Sequence, residues 1–295
     1  MPKIILQQQR GFSEKINATF EFIRQNFKSL FKSLIYIAGP PLLIVGIYSG
    51  VLQSNLTTVV DETNPFAGLT ELYTRLTPIF ILTYLTTTLV IAIVYEYMVL
   101  YNKDNLEEIT PAMVWNEIKK DYFQLLLSAF VVSIIVSTGF LFFFIPGIFL
   151  GAALSLIFII QVREKKGFGQ AFQRCFYLTS GNYLSTIGLL FVIFILYLLI
   201  AVLFGLPTTI LGGIEGFLMA SDDVSLRETS IIFKITFIVA QVLNTLGSQL
   251  AYAVVLIAIA FQYFNLVEKK EATGLIESIH TIGEKGKPDD REETY

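Results

Sequence analysis

The sequence predicts an all-α integral membrane protein with six transmembrane helices, arranged as three repeats of an amphipathic in-plane helix followed by a transmembrane hairpin. Composition is the first indication, because 54% of the 295 residues are hydrophobic and only 15% are charged, whereas about a quarter are charged in ordinary soluble domains. The second is the number of apolar segments. A helix needs about 20 mostly apolar residues to cross a ~30 Å hydrocarbon core, and six segments qualify: 30–52, 76–97, 123–144, 145–162, 184–206 and 235–264.

The distribution of lysine and arginine predicts the orientation of these spans. If the N-terminus is cytoplasmic, eighteen of the 21 lysines and arginines fall in cytoplasmic segments, and only Arg75, Arg227 and Lys234 lie outside. Cytoplasmic loops carry an excess of such residues, so we expect both termini in the cytoplasm. The short apolar run at residues 4–6 is below the length of a signal-peptide core. We therefore predict an uncleaved, multi-pass protein of the plasma membrane, the inner membrane if the source is bacterial.

The segments before the three hairpins resemble one another. The first has apolar residues three and four apart, the spacing of one helical face, and a shift of 156 residues superposes Phe20 on Phe176. A shift of 95 superposes Phe20 on Trp115. We interpret these segments as in-plane helices that open repeat units at about 11–101, 110–165 and 167–266, followed by a polar cytoplasmic tail at 267–295. The predicted anchors of the in-plane helices are Phe20, Trp115, Phe172 and Phe176. Chance matching in an aromatic-rich chain is the alternative.

Charges on the in-plane helices are mixed. Glu14, Glu21 and Glu117 alternate with Lys15, Arg24 and Lys119. A helix that senses anionic lipids has a strongly cationic polar face. The pattern therefore favours helices that pack against the bundle over dedicated lipid sensors.

Residues 144–190 carry a family resemblance. Pro146 and Gly147 open a span, Glu164 lies in the following turn, a short helix begins at 167–171, and Arg174 precedes Gly181 and Asn182. This stretch resembles the membrane domain of the glycerophosphoryl diester phosphodiesterase membrane-domain family, whose members commonly have serine at the position of Cys175. Its two-domain members add a soluble barrel that hydrolyses glycerophosphodiesters. Only 31 residues follow Phe264 here, so the resemblance implies a membrane fold without hydrolysis.

The sequence offers little for catalysis. His280 is the only histidine and Cys175 the only cysteine, whereas metal sites need clustered ligands. No serine nucleophile has a base beside it in a known motif. We therefore predict no enzyme activity, cofactor or metal. The net charge of −3 also argues against a nucleic-acid partner, which requires a basic surface.

Polar residues inside the spans are the remaining candidates. Glu96 is the one ionisable residue near bilayer depth, and its counterpart in the last hairpin is the neutral Gln262. We favour an interfacial or structural role for Glu96 over proton coupling. Gln241, Asn244 and Gln249 lie along the sixth span, where such residues commonly bind helices together. A substrate path is the alternative.

These observations predict a non-enzymatic polytopic membrane protein, a scaffold or accessory subunit of a membrane complex. Its predicted partners are membrane lipids and other membrane proteins. Two alternatives remain open at this stage: a transporter or channel for a small solute, and a lipid-handling membrane protein.

Overall fold

The computed structural model describes residues 3–53, 65–103, 108–220 and 231–272. In these ranges the regular secondary structure is α-helical. The helices are α1 (Phe12–Ile37), α2 (Gly39–Gln53), α3 (Pro65–Tyr101), α4 (Pro111–Phe142), α5 (Phe144–Leu154), α6 (Ile157–Glu164), α7 (Phe168–Thr179), α8 (Tyr183–Ala220) and α9 (Ile231–Glu271).

The all-α membrane fold class is confirmed. Five segments of the described chain are long and apolar enough to cross a membrane: Tyr73–Tyr101, Pro111–Phe142, Phe144–Glu164, Tyr183–Phe217 and Ile231–Glu271. The fourth and fifth are α8 and α9, and the third combines α5 with α6. Helices α1 and α2 pass the same test as a pair bent by 62°, which would make a sixth span.

Helix α9 forms the centre of the bundle. Of its most apolar stretch 78% is buried, against 11% in α4 and in α8. Small residues such as Ala253, Ala258 and Ala260 lie in the buried part of α9 and let neighbouring helices approach closely. Helices α4 and α8 instead expose large apolar side chains such as Phe130 and Leu199. Because lipid tails are as apolar as leucine, such faces suit contact with the membrane.

The first predicted span, 30–52, is not one straight helix. Helix α1 continues through Ile37 and the chain bends at Ala38. Helix α2 begins at Gly39, which is followed directly by two prolines. Proline lacks an amide donor and clashes with the preceding turn, so Pro40 and Pro41 favour a bend here. Helix α2 has 15 residues, or about 22 Å. It is therefore shorter than a hydrocarbon core and crosses one only together with part of α1.

The bent pair follows α9 along most of its length. At one end the Lys15 ammonium donates to Gln262 Oε1 at 2.7 Å. At the other end, a Cβ added to Gly46 or Gly50 would lie 2.8 Å from the Cα of Val242 or Ile238. Residues 238 to 262 of α9 are 24 apart, about 36 Å at 1.5 Å per residue. The contacts of the pair with α9 therefore extend over more than the thickness of a hydrocarbon core.

Alanine at both Gly46 and Gly50 should destabilise the protein by about 1 to 3 kcal/mol, the usual cost of overpacking. Each new methyl group would meet α9 backbone at 2.8 Å, so α2 has to move away from α9. The matched control is alanine at Gly213 and Gly216 of α8, where an added Cβ meets no atom within 4 Å. Thermal unfolding midpoints in detergent should fall only for the first pair. Equal midpoints would contradict the close approach.

The predicted in-plane helices differ from one another. Helix α7 is separate from α8 because Gly181 adopts a φ of 74°, a left-handed conformation that glycine favours. In the second copy the predicted in-plane segment and the span are one continuous helix, α4, which corrects the prediction of a separate element. Residues 112–138 contain neither glycine nor proline, so nothing in that sequence interrupts the helix.

Two other boundaries also shift. The turn between the third and fourth spans lies at Phe143, and Pro146 and Gly147 belong to the first turn of α5. Gly147 lies against α4, since an added Cβ would be 2.9 Å from the Phe140 nitrogen. Helix α9 continues to Glu271, beyond the predicted boundary of the tail at 266. The remainder of that tail, 273–295, including His280, lies outside the described residues.

Candidate functional site: a buried polar layer

One end of the bundle contains the α6–α7 junction with Lys165 and the last turns of α9 with Lys269; we call it the basic end. Each of the three hairpins finishes in a helix with a polar side chain near this end that is almost fully buried. They are Glu96 on α3, Gln161 on α6 and Gln262 on α9, with 1%, 3% and 1% of their surface exposed. Together with their partners they form a layer of contacts that we call the polar layer. Its charged and hydrogen-bonded members are Lys15, Glu96, Asp121, Ser128, Gln161, Glu164, Lys165, Arg174, Ser185, Thr186, Gln262, Tyr263 and Glu271.

In the first part of the layer, Lys165 joins three helices. It ends α6 with a left-handed φ of 51°, and its Nζ donates to Glu96 Oε1 at 3.1 Å and to the Asp121 carboxylate. Burial lowers the pKa of Lys165, but its hydrogen bond to Asp121 and the charge of Glu96 outweigh that effect, so the pKa is raised overall. Lys165 is therefore a cation at neutral pH. The Glu96 carboxylate is held in an ion pair, which favours a structural role over proton coupling.

The second part joins α6, α7 and α9 through Arg174. Its Nε donates to Glu164 Oε1 at 3.1 Å, and its terminal nitrogens bind the two carboxylate oxygens of Glu271. The hydrogen bonds to Glu271 are the main reason why the pKa of Arg174 is raised. Tyr263 on α9 donates its hydroxyl to the same Glu164 oxygen at 2.9 Å. A bidentate arginine is the strongest common form of such pairs, so α7 is fixed to both neighbours.

The third part lies between α1, α8 and α9, and its cation lacks an acidic partner. Lys15 is 2% exposed, and its Nζ donates to Gln262 Oε1 at 2.7 Å and to Ser185 Oγ at 3.2 Å. Gln262 in turn donates to Thr186 Oγ1 at 2.8 Å. The charged neighbour that acts on Lys15 is another cation, Lys269. Among the described residues, this ammonium is thus stabilised by neutral oxygens and by the Phe12 ring, whose centroid lies 5.8 Å from Nζ.

Gln161, the third of these residues, binds within its own hairpin. It donates to Ser128 Oγ on α4 at 2.8 Å, whereas its Oε1 has no hydrogen-bond partner among the described residues. Glu96, Gln161 and Gln262 therefore each connect a helix of their hairpin to another helix through a buried polar contact. Sequence comparison paired Glu96 with Gln262 but missed Gln161, although all three follow an apolar run and precede a basic turn.

The predicted polar residues of the last span do not meet at one place. Gln249 donates to Thr87 Oγ1 of α3 at 3.3 Å, and its Oε1 has no partner among the described residues. Asn244 accepts from Ser248 of its own helix at 3.3 Å and faces Gly205 of α8. Gln241 contributes its backbone oxygen to Thr245. These positions suit contacts between helices better than a shared path for a solute.

The four predicted aromatic anchors behave in two ways. Phe20 and Trp115 are 43% and 41% exposed, so each is only partly covered by the rest of the bundle, and their role as anchors stays a prediction. Phe172 and Phe176 of α7 are half-buried against the core, with ring centroids 5.0 Å apart. On α1 the anchor is Phe22, which is fully buried and packs edge-on against Tyr97, Tyr101 and Phe261.

Cys175 should not react with thiol reagents in the folded protein. It is fully buried on α7, and burial raises the pKa of its thiol to about 12. The reactive thiolate is therefore scarce at pH 8. Maleimide should label the native protein slowly and label it completely after unfolding in sodium dodecyl sulfate. Rapid labelling of the native protein would show that α7 does not cover this residue.

Comparison with known proteins suggests no function for this chain, so any functional conclusion rests on its structure. No family model, curated protein or solved structure matches the chain. Within the described residues, no group of three or more histidine, cysteine or acidic side chains could hold a metal ion.

Proposed function

We propose that the chain is a non-enzymatic polytopic membrane protein that serves as a scaffold or accessory subunit of a membrane complex. The polar layer is the observation that carries this proposal. Lys165 and Arg174 each bind carboxylates from two other parts of the chain. Ion pairs of this kind hold helices together. Breaking one of these ion pairs leaves a buried charge uncompensated. This arrangement best supports a function as a rigid scaffold.

The topology in this proposal has six crossings, with both termini and the basic end in the cytoplasm of a plasma or bacterial inner membrane. Two features support it: the path of α1 and α2 along α9, and the excess of lysine and arginine at this end. The three buried residues Glu96, Gln161 and Gln262 support the proposal of a threefold repeat. The resemblance of residues 144–190 to the glycerophosphoryl diester phosphodiesterase membrane-domain family remains a prediction.

The exposed faces of α4 and α8 are the surfaces on which a partner protein would pack in such a complex. Photocrosslinking in native membranes tests this, with a photoreactive residue at Phe130 on α4 or Leu199 on α8. These side chains are 58% and 64% exposed, and the fully buried Phe22 is the control. A scaffold should yield a discrete protein adduct from at least one face and none from Phe22. Lipid adducts alone at both faces would contradict the scaffold function.

A further inference from the structure

A polar cavity of about 510 Å³ lies where α1 passes the end of α3 and the connection between α3 and α4. This volume is within the range of ligand pockets, about 300 to 1,000 Å³. The cavity lies next to the basic end, because Phe22 packs edge-on against Tyr101 in its wall and also against Phe261, the neighbour of Gln262. Eight of its ten lining residues are polar or charged, so it suits a polar molecule better than an acyl chain.

Hydrogen bonds between separate parts of the chain fix the walls of this cavity. The Tyr97 hydroxyl on α3 donates to Asn26 Oδ1 on α1 at 3.2 Å, and the Ser29 hydroxyl on α1 donates to the Ile109 carbonyl oxygen at 2.7 Å. All four residues line the cavity. The cavity therefore has its shape before a ligand binds, which lowers the entropic cost of binding.

The N-terminal segment contributes one side of the cavity through Lys3. The neighbouring Ile4 N–H donates to the Tyr101 hydroxyl at 2.8 Å. Lys3 Nζ donates to the Lys103 carbonyl oxygen at 3.3 Å and lies 5.5 Å from the centroid of the Tyr101 ring. These contacts hold the Lys3 ammonium beside the cavity.

Both signs of charge line the cavity. Arg24 and Lys3 contribute cations and Glu108 contributes a carboxylate, and all three side chains are exposed. A guanidinium binds phosphate oxygens through its planar fork, and a carboxylate accepts charge-assisted hydrogen bonds from an ammonium group. A ligand with one sign of charge leaves the other sign unmatched, whereas a zwitterion complements both. Two cations suit a phosphate, which carries up to two negative charges.

We propose that this cavity binds a small zwitterion that carries a phosphate and a primary ammonium group. The phosphate pairs with Arg24 and Lys3, and the ammonium group pairs with Glu108. The zwitterion is either a free molecule or the headgroup of a lipid, since both carry this chemistry. Binding of this kind is a function beyond that of a scaffold and does not depend on it.

Isothermal titration calorimetry of the detergent-purified full chain tests this proposal. The probes are phosphoethanolamine and its separate halves, inorganic phosphate and ethanolamine. We expect phosphoethanolamine to bind at least about ten times more tightly than either half, because hydrogen bonds to charged groups form at both of its ends.

A short-chain phosphatidylethanolamine distinguishes the two sources of this chemistry, with phosphatidylcholine of the same chains as its control. The quaternary ammonium of phosphatidylcholine has no N–H to donate, so it should bind more weakly. Binding of phosphatidylethanolamine without binding of phosphoethanolamine would identify the lipid headgroup as the ligand. Binding of neither zwitterion, or equally tight binding of inorganic phosphate and phosphoethanolamine, would overturn the proposal.

Single substitutions separate the cavity from general surface charge. Arg24→Gln should weaken binding of the zwitterion about tenfold or more, and binding of inorganic phosphate as well. Glu108→Gln should weaken binding of the zwitterion to a similar degree without weakening that of phosphate. Both replaced side chains are exposed, so the fold should tolerate these changes.

Lys28→Gln is the matched control. Lys28 is exposed and lies one turn beyond Arg24 on α1, outside the lining of the cavity, and its replacement removes the same charge. It should leave the affinity for the zwitterion nearly unchanged. A loss as large in Lys28→Gln as in Arg24→Gln, or full affinity in both Arg24→Gln and Glu108→Gln, would show that the cavity is not the binding site.

Discussion

Replacing Lys165 with methionine should destabilise the bundle by about 3 kcal/mol, because it leaves a buried carboxylate without its partner. Glu96 is 1% exposed, and Lys165 is its ion-pair partner at 3.1 Å. Asp121, which shares that lysine, would then add a second uncompensated negative charge. The loss should appear as a lower midpoint of thermal unfolding in detergent, and as less protein in the membrane.

The replacement Glu96→Gln provides the matched control and a rescue. Glutamine already occupies the corresponding buried place in the other two hairpins, at Gln161 and Gln262. Glu96→Gln alone leaves Lys165 paired with Asp121 and should be tolerated. Added to Lys165→Met, it should restore most of the lost stability, because the buried charge is gone. A double variant as unstable as Lys165→Met would show that the lysine acts through packing and not through Glu96.

Gln262→Leu should have the second large effect, again about 3 kcal/mol. It removes the 2.7 Å hydrogen bond to the Lys15 ammonium and leaves this buried cation with Ser185 as its hydrogen-bond acceptor. Lys15→Met should be nearly neutral, since a buried cation without an acidic partner contributes little net stability. Combined with Gln262→Leu, it should recover much of the loss. Thermal unfolding of the three variants measures this.

The opposite ranking of the stability losses of these two single variants would contradict this interpretation. If Lys15→Met is more damaging than Gln262→Leu, the ammonium itself must stabilise the fold. A favourable interaction with an anion from the membrane would be one physical reason. Ser185→Ala is a mild control, because its longer 3.2 Å bond to Lys15 is the weaker of the two.

Much of the fold followed from composition and from the lengths of the apolar segments. The bend at Ala38 did not, because apolar residues continue from Leu34 into α2 without a polar break. Pro40 and Pro41 were the available signal. In α4 the sequence offered no signal for a break between in-plane helix and span, and the structure has none. The close approach of α2 to α9 depends on Gly46 and Gly50, a small-xxx-small pair that the sequence analysis missed.

The polar layer was predictable only in part. Glu96 and Gln262 could be recognised because each interrupts an apolar run near the end of a span. Their partners could not, since Lys165 and Lys15 lie 69 and 247 residues away along the chain. Both partners depend on how α1 and the α6–α7 junction pack, which no local pattern encodes.

In the proposed topology the bent pair α1 and α2 forms a sixth crossing, which puts both ends of the chain on one side of the membrane. Cysteine accessibility in intact cells tests this directly, and Cys175 is too deeply buried to interfere. The positions are Gln8, exposed before α1, with Ser221 and Ser278 outside the described residues. An impermeant maleimide should label Ser221→Cys from outside, and label Gln8→Cys and Ser278→Cys only after the membrane is opened. Labelling of Gln8→Cys and Ser278→Cys from opposite sides would mean five crossings and would contradict the account.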